Sequence, residues 1–506
     1  MKKLLCVLIA TVAVLSLVAC SSWKSTVSDF DGEVSSNGGF AVVKGEYVYL
    51  INGVSENSGD NAFGNAVKGA IVRVKKSDLG KDNAVAETVI PKIVYNEYTE
   101  NGAGLFISGN YVYFPSPCDK KNSQGVVKNT ETEFIKAKLD GSEVNVVATI
   151  ASSSVPYRFY EAGGKVFLTV YVTETADDES KNYLVTYDEG GSQLKKSSAV
   201  TGYDFGEFGG KYAYYTHVAH NDELDSDESF NEVYRYAFDG SEDKIVLSGK
   251  DFGAQGNTYS IVKNAKDFIV LSASSVDTSV ASATYYYGVA HADVVGTTAE
   301  NFNKLTFLSS GTNASTIFAS TSVYCALDAI LYNTSDGIKK YDYKGFVADK
   351  LDGGVSVAYY DKDLASYTYS YTEGGVMYYT DGGYYYSVNA ADVLAGTATV
   401  KRLTYKSTYS TGSWYNAEFI GDYMLYADTD SPFYGYVYAV GLKDIEARYN
   451  KALADITDDE VDEYVEELSR TEIADVEAKL AKRLGIVSAE DAEKLLLYYV
   501  DNYEEE

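Results

Sequence analysis

The chain has 506 residues and a formal charge of −30, from 73 acidic and 43 basic side chains. That balance excludes nucleic acid as a partner, since phosphate binding needs a basic surface, and it disfavours docking onto anionic lipid. With 48 tyrosines, 43 glycines and only five prolines, the composition is that of pleated, turn-rich structure.

The N-terminus places Lys2 and Lys3 before an apolar run from Leu4 to Ala19, the charged and apolar regions of a secretory signal. The run is short for a membrane-spanning helix. Its end, Leu17-Val18-Ala19-Cys20 followed by Ser21-Ser22, resembles a bacterial lipobox. The resemblance implies a signal peptide over 1–19, with Cys20 as the first mature residue carrying lipid on its sulfur. A nucleophilic thiol is what that acyl-glyceryl chemistry needs. Residues 20–36, rich in Ser and Asp, then read as a lipidated tether. The expected partner at this end is a membrane, reached through Cys20, with the body outside the cytoplasm in the bacterial cell envelope. Two cysteines remain, Cys118 and Cys325; they permit one long-range disulfide without requiring it, and they are too few for a thiolate zinc site.

From about 37 to 440 a tyrosine-rich strand signal returns eight times: GEYVYLI at 45–51, GNYVYF at 109–114, GKVFLTV at 164–170, GKYAYY at 210–215, KDFIVL at 266–271, DAILY at 328–332, GVMYY at 375–379 and GDYMLY at 421–426. Anchored on Tyr47, Tyr111, Val166, Tyr212, Phe268, Ile330, Val376 and Tyr423, the steps are 64, 55, 46, 56, 62, 46 and 47 residues. The short steps match one four-stranded propeller blade. The long ones require loop insertions, with candidates at 52–68, 115–132 and 272–284. A Gly-x turn precedes most anchors, and Asp-Gly hairpin dipeptides recur at Asp140-Gly141, Asp239-Gly240, Asp336-Gly337, Asp352-Gly353 and Asp381-Gly382. Residues near 37–43 are expected to complete the last sheet, because no fourth strand is evident after Tyr438.

Tyr378-Tyr379-Thr380-Asp381 is similar to the Tyr-Trp-Thr-Asp strand of the low-density-lipoprotein-receptor-type propellers. Leu139-Asp140-Gly141-Ser142 and Phe238-Asp239-Gly240-Ser241 resemble the Leu-Asp-Gly-Ser turn of the same blades. Tyrosine-rich bacterial surface lipoproteins share this style. The chain departs from that family in having only Trp23 and Trp414 and in its eight units. The resemblance therefore implies a fold and no ligand: mainly β, a seven- or eight-bladed β-propeller over 37–440, followed by a small α-helical segment.

That segment, 441–506, holds 20 acidic and eight basic residues. Capping boxes at Thr457/Glu460, Ser469/Glu472 and Ser488/Asp491 start three expected helices, with apolar residues at helical spacing after each.

Signals for catalysis are sparse. His217 and His220 lie just before Asp222, Glu223, Asp225, Asp227 and Glu228, residue types that can ligate a metal. Because i and i+3 on a strand face opposite ways, both imidazoles would meet one metal only if the segment bends, so the set reads as a solvated inter-strand loop, with a weak cation site as the alternative. No G-x-S-x-G elbow and no glycine-rich phosphate loop occur. Runs such as Tyr285–Tyr287 and Tyr384–Tyr386 must alternate between faces of a strand. The expectation is a non-enzymatic, surface-anchored propeller without metal, cofactor or catalytic residues, whose ligand-binding residues are unknown and whose ligand is a protein or an envelope glycan. The alternatives are an envelope glycan-active hydrolase using carboxylates and a substrate-capturing lipoprotein of a transporter.

Overall fold

A computed structural model describes residues 34–36, 38–52, 69–81, 84, 86–94, 104–118, 130–220, 229–248, 258–265, 268–274, 284–291, 304–305, 323–326, 329–334, 337–342, 368–373, 375–381, 384–398, 400–403, 418–427 and 437–441. Among them are eight antiparallel sheets, each a meander in chain order, which is the sheet repeat of a β-propeller. The lipobox with Cys20, Asp352-Gly353 and the acidic segment 442–506 lie outside the described residues.

A short strand, β1 (Val34–Ser35), comes first and joins the second sheet rather than the first. The first sheet is β2 (Ala41–Lys44), β3 (Tyr47–Ile51), β4 (Ala70–Lys75) and β5 (Glu87–Ile93). The second is β6 (Phe106–Ser108), β7 (Tyr111–Pro117), β8 (Thr132–Lys138) and β9 (Asn145–Ile150), with β1 on the free edge of β6. The third is β10 (Tyr157–Ala162), β11 (Lys165–Ala176), β12 (Glu179–Asp188) and β13 (Gln193–Lys196). The fourth is β14 (Gly202–Asp204), β15 (Tyr212–His220), β16 (Ser229–Ala237) and β17 (Asp243–Ser248). The fifth is β18 (Thr258–Asn264), β19 (Phe268–Ser274), β20 (Thr284–Ala290) and β21 (Lys304–Leu305). Then follow β22 (Val323–Ala326), β23 (Ala329–Thr334) and β24 (Gly337–Asp342), and after them β25 (Thr368–Glu373), β26 (Val376–Asp381), β27 (Tyr384–Asn389) and β28 (Lys401–Arg402). The last sheet is β29 (Glu418–Ile420), β30 (Tyr423–Ala427) and β31 (Val437–Gly441).

All eight anchors fall on the second meander strand of their sheets. The expected insertions 52–68, 115–132 and 272–284 each fall at the connection between the second and third strands, although β7 and β19 continue through Pro117 and Ser274 and β8 and β20 begin at Thr132 and Thr284. Two expectations are corrected. Residues 41–44 pair with β3 and so open the first sheet instead of completing the last. His217 and His220 belong to β15 and not to a loop.

Two compact units divide the chain, 1–256 with 413–418 and 429–437, and 257–412 with 419–428 and 438–506. In the first unit the tyrosine repeat has a packing cause. Tyr49, Tyr113 and Tyr214 are buried and stand directly across from Arg73, Lys136 and Arg235 on the third strand. Each cation then lies over the ring two residues earlier, at 4.2 Å from Tyr47, 4.3 Å from Tyr111 and 4.4 Å from Tyr212. A glutamate completes each set: Glu87 at 2.7 Å from Arg73, Glu189 at 2.7 Å from Lys136, Glu242 at 2.5 Å from Arg235. Cation–π attraction and the carboxylate together hold a charge that burial would otherwise penalise.

The Asp-Gly-Ser turns are superimposable in their bonding. Asp140 Oδ1 accepts from Ser142 N at 2.9 Å and Asp239 Oδ1 from Ser241 N at 2.9 Å. Gly240 has φ +71, and a Cβ there would stand 3.3 Å from Leu194 on β13, so this turn seats the fourth sheet on the third. Arg158 on β10 is buried and donates to the Gly206 and Glu207 carbonyls at 2.9 and 3.4 Å; burial pushes its pKa down to about 10. The buried Glu418 carboxylate accepts the Phe40 and Ala41 amides, the latter at 3.1 Å.

In the second unit Leu331, Met377, Tyr379, Tyr386, Val388 and Val393 form a buried cluster. Its helix α1 (Ala390–Ala395) is capped by Asn389, whose side chain accepts from Ala391 N and Asp392 N, and ends at Gly396.

Candidate functional site

One face of the fourth sheet, packed in part on Leu184 and Val200, gathers two carboxylates, an imidazole and several tyrosines. Alternation along β15 puts Tyr215 and His217 on that face, and alternation along β16 puts Glu232, Tyr234 and Tyr236 there. The register sets Tyr215 opposite Tyr234 and His217 opposite Glu232. Directly opposed residues have Cβ atoms about 4.5–5.5 Å apart, so these form two interacting pairs. The Tyr215 and Tyr234 rings are stacked, centroids 4.8 Å apart and 12° from parallel. His217 meets Tyr234 edge-on at 6.0 Å.

Each tyrosine hydroxyl donates to a carboxylate. Tyr234 bonds Glu232 Oε2 at 2.8 Å, and Tyr215 bonds Asp243 Oδ1 on β17 at 2.8 Å. Burial is the main cause that raises both phenols, and the carboxylates raise them further, so both remain donors. Burial also lifts the Asp243 carboxyl above the usual range, against the opposing effects of the Tyr215 bond and of the nearby Lys195 and His217. The His217 Nδ1 lies 2.6 Å from the Ala199 carbonyl, which only accepts; Nδ1 therefore carries a proton and donates it to that carbonyl. Glu232 is buried, whereas His217, Tyr234, Asp243 and Ser198 are half-buried, which leaves one border of the cluster open to solvent. The cluster rests on a core of Leu184, Val200, Phe205, Ala213 and Phe238.

Such a face unites two carboxylates, an imidazole oriented by its Nδ1–Ala199 bond and a tyrosine stack, the components of acid–base chemistry on a ring-shaped polar substrate. Among the described residues no group of three or more side chains has the geometry of a metal site.

No protein-family model matches the sequence, and no curated protein matches it. Solved structures do match. The tricorn protease matches at 9% identity over 90% of this chain and 55% of that one, with a TM-score of 0.23, so the chain spans about half of that protein's length. The β-propeller domain of the Trilobed protease from Pyrococcus furiosus matches at 10% identity over 67% of this chain and 93% of its own, with a TM-score of 0.33. The polysaccharide lyase Uly1 matches at 8% identity over 82% and 100%, with a TM-score of 0.34. Likeness at this level assigns no activity. It does overturn the expectation that the chain is not an enzyme: proteases and lyases recur among the matches, so propeller sheets give no ground for excluding catalysis. With no family match, the low-density-lipoprotein-receptor-type resemblance reaches only as far as the propeller sheets and their Asp-Gly-Ser turns.

Of the residues singled out in the sequence, His217 enters the site, whereas 222–228 lie outside the described residues. Tyr385 and Tyr386 are buried packing residues. Cys118 is a buried thiol 3.6 Å from Glu133 Oε1, and Glu133 pairs with the buried Lys92 at 3.4 Å. Glu232, Tyr234 and Asp243 escaped sequence reasoning. The only available signal was the strand alternation of Glu232-Val233-Tyr234 just before an Asp-Gly turn.

Proposed function

We propose that the chain is a glycan-active hydrolase of the cell envelope, tethered through Cys20 and working with the carboxylates Glu232 and Asp243. The observation that carries the reading is the pairing of these two acids, each bound by one ring of a stacked tyrosine pair, on a single half-open face. Sugar-ring hydrolysis needs one acid that holds its proton and one carboxylate that accepts one. Asp243, its carboxyl raised chiefly by burial, donates a proton to the departing glycosidic oxygen. Glu232 takes a proton from the water that attacks the anomeric carbon, so one C–O bond breaks as another forms. The lipobox resemblance supports the envelope location.

The test is release of reducing ends from peptidoglycan fragments and from amino-sugar oligomers by the full chain. Asp243→Asn and Glu232→Gln should each slow turnover by roughly 10²–10⁴-fold while leaving the far-ultraviolet circular dichroism unchanged. Tight glycan binding with no turnover by the wild-type chain would sink the reading.

A further inference from the structure

The middle strands of the third sheet outrun the rest of it. β10 follows β11 only as far as Val170, and β13 reaches β12 no further than Val185, whereas β11 and β12 stay paired without a register shift from Phe167 to Ala176. The result is a two-stranded ribbon whose residues 173–181 are all exposed. Its turn, Asp177-Asp178, has φ +51 and +65, the positive values that a tight hairpin turn uses. Cross-strand bonds stiffen it: the Thr173 hydroxyl donates to Asn182 Oδ1 at 2.8 Å, and the Thr175 and Ser180 hydroxyls lie 2.9 Å apart. Lys196 braces the base, 3.8 Å over the Tyr183 ring and 2.6 Å from Glu174.

The β11 edge of this ribbon is open. The Tyr171 amide donates to the Pro156 carbonyl on the β10 side at 2.9 Å. Strand alternation then directs the N–H and C=O of Thr173 and Thr175 to the same side, beyond the start of β10. Among the described residues those backbone groups have no partner. Sheets ordinarily guard such edges with bulges, lysines or prolines. The outer strands β9, β13 and β17 do so: each pairs through a register shift, and β13 and β17 carry Lys195, Lys196 and Lys244. The free stretch of β11, Val172 to Ala176, has no shift, no lysine and no proline.

From this we infer that the β11 edge accepts an extended, basic segment of a partner protein as an added strand. The inference is independent of the glycan reading above. Main-chain bonds to Thr173 and Thr175 hold such a strand, and side chains on alternate positions select it. Charge names the occupant. The ribbon carries Glu174, Asp177, Asp178 and Glu179 against Lys181 alone, and among the described residues the two aspartates have no ion pair. Lysines or arginines on the incoming strand would lie beside these carboxylates, and a chain of formal charge −30 steers cations toward them. A second copy of this chain fits poorly. The antiparallel register that uses both threonines sets Glu174 directly opposite its own copy, and like charges so placed repel.

Fluorescence anisotropy of three labelled hexapeptides against the full chain tests it: alternating lysine and threonine, alternating glutamate and threonine, and the lysine peptide with alternate backbone amides N-methylated. The lysine peptide should bind, and the other two should each bind at least about tenfold more weakly. Thr173→Pro removes an edge N–H, a change that edge strands tolerate; it should weaken the lysine peptide by the same factor with the melting temperature unchanged. If that variant does not fold, the methylated peptide still decides. No binding of the lysine peptide would overturn the inference. Equal binding of the methylated form would do so too, because side-chain charge alone would then explain it. A concentration-dependent dimer of the wild-type chain that Thr173→Pro abolishes would assign the edge to a second copy and overturn the choice of partner.

Discussion

At the scale of residues, the abundance of tyrosine divides into two uses that look identical in the sequence. Tyr49, Tyr113 and Tyr214 pack within their sheets against a third-strand cation, whereas Tyr215, adjacent to Tyr214, points to the other face and carries Asp243. One peptide step separates packing from chemistry, because side chains alternate along a strand. The packing use is open to measurement. A double-mutant cycle on Tyr212→Leu and Arg235→Gln should give a coupling of about 0.5–2 kcal/mol in denaturant unfolding; a coupling near zero would mean that the 4.4 Å approach contributes nothing. The GxYxY pattern made the tyrosines legible. The cation above them was not, since nothing in the pattern says which of the many lysines and arginines of the third strand will lie opposite the second tyrosine.

Elements are where the sequence spoke most clearly. Most of the eight anchors landed on second strands because a Gly-x turn before them fixes the first hairpin; Gly109, for instance, sits at φ +55. The Asp-Gly-Ser turns fell where the dipeptide placed them, for the same reason. What stayed hidden was register across long connections. His217 and Glu232 meet only because β15 and β16 pair across the connection 221–228, whose length reveals nothing about which residues will oppose one another. The turn chemistry yields a sharp expectation. Gly240→Ala should cost about 1–2 kcal/mol, since an alanine resists positive φ and its methyl would press on Leu194. The measurement is a urea midpoint, with Gly163→Ala as the comparison. Gly163 also has positive φ, but a Cβ there would meet nothing within 4 Å. If both cost the same, the seating of this turn on β13 plays no part.

On the scale of the whole molecule, the contact of longest sequence range among those described joins Glu418 to the amides of Phe40 and Ala41, 378 and 377 residues away. Neither sequence pattern nor composition marks Glu418, because an isolated acid among 73 carries no periodicity. Its removal should be felt far beyond one strand. Glu418→Ala strands two buried amides at about 1–3 kcal/mol apiece, and the expected result is a lower melting temperature with earlier proteolysis near residue 40. Glu418→Gln, which keeps an acceptor oxygen, should recover much of the loss. An unchanged melting temperature in the alanine variant would show that the amides find other partners.

The two-residue strand β1 has a mechanical meaning. A pull on the N-terminal side of the chain reaches β1 before any full sheet, and β1 is held to β6 by the pairs Val34–Ser108 and Ser35–Ile107, with the Ser36 hydroxyl on the Leu105 carbonyl. Such a short ladder yields at low force. The segment from 34 to 38 then extends to at most about 13 Å at ~3.3 Å per residue, after which the load meets Gly39, whose carbonyl accepts from Leu105 N at 2.8 Å, and then Phe40 and Ala41. There the Glu418 carboxylate, gripping two adjacent amides, resists as a clamp. The protein thus meets tension with a weak link in front of a strong one, and its sheets stay slack while the leader extends.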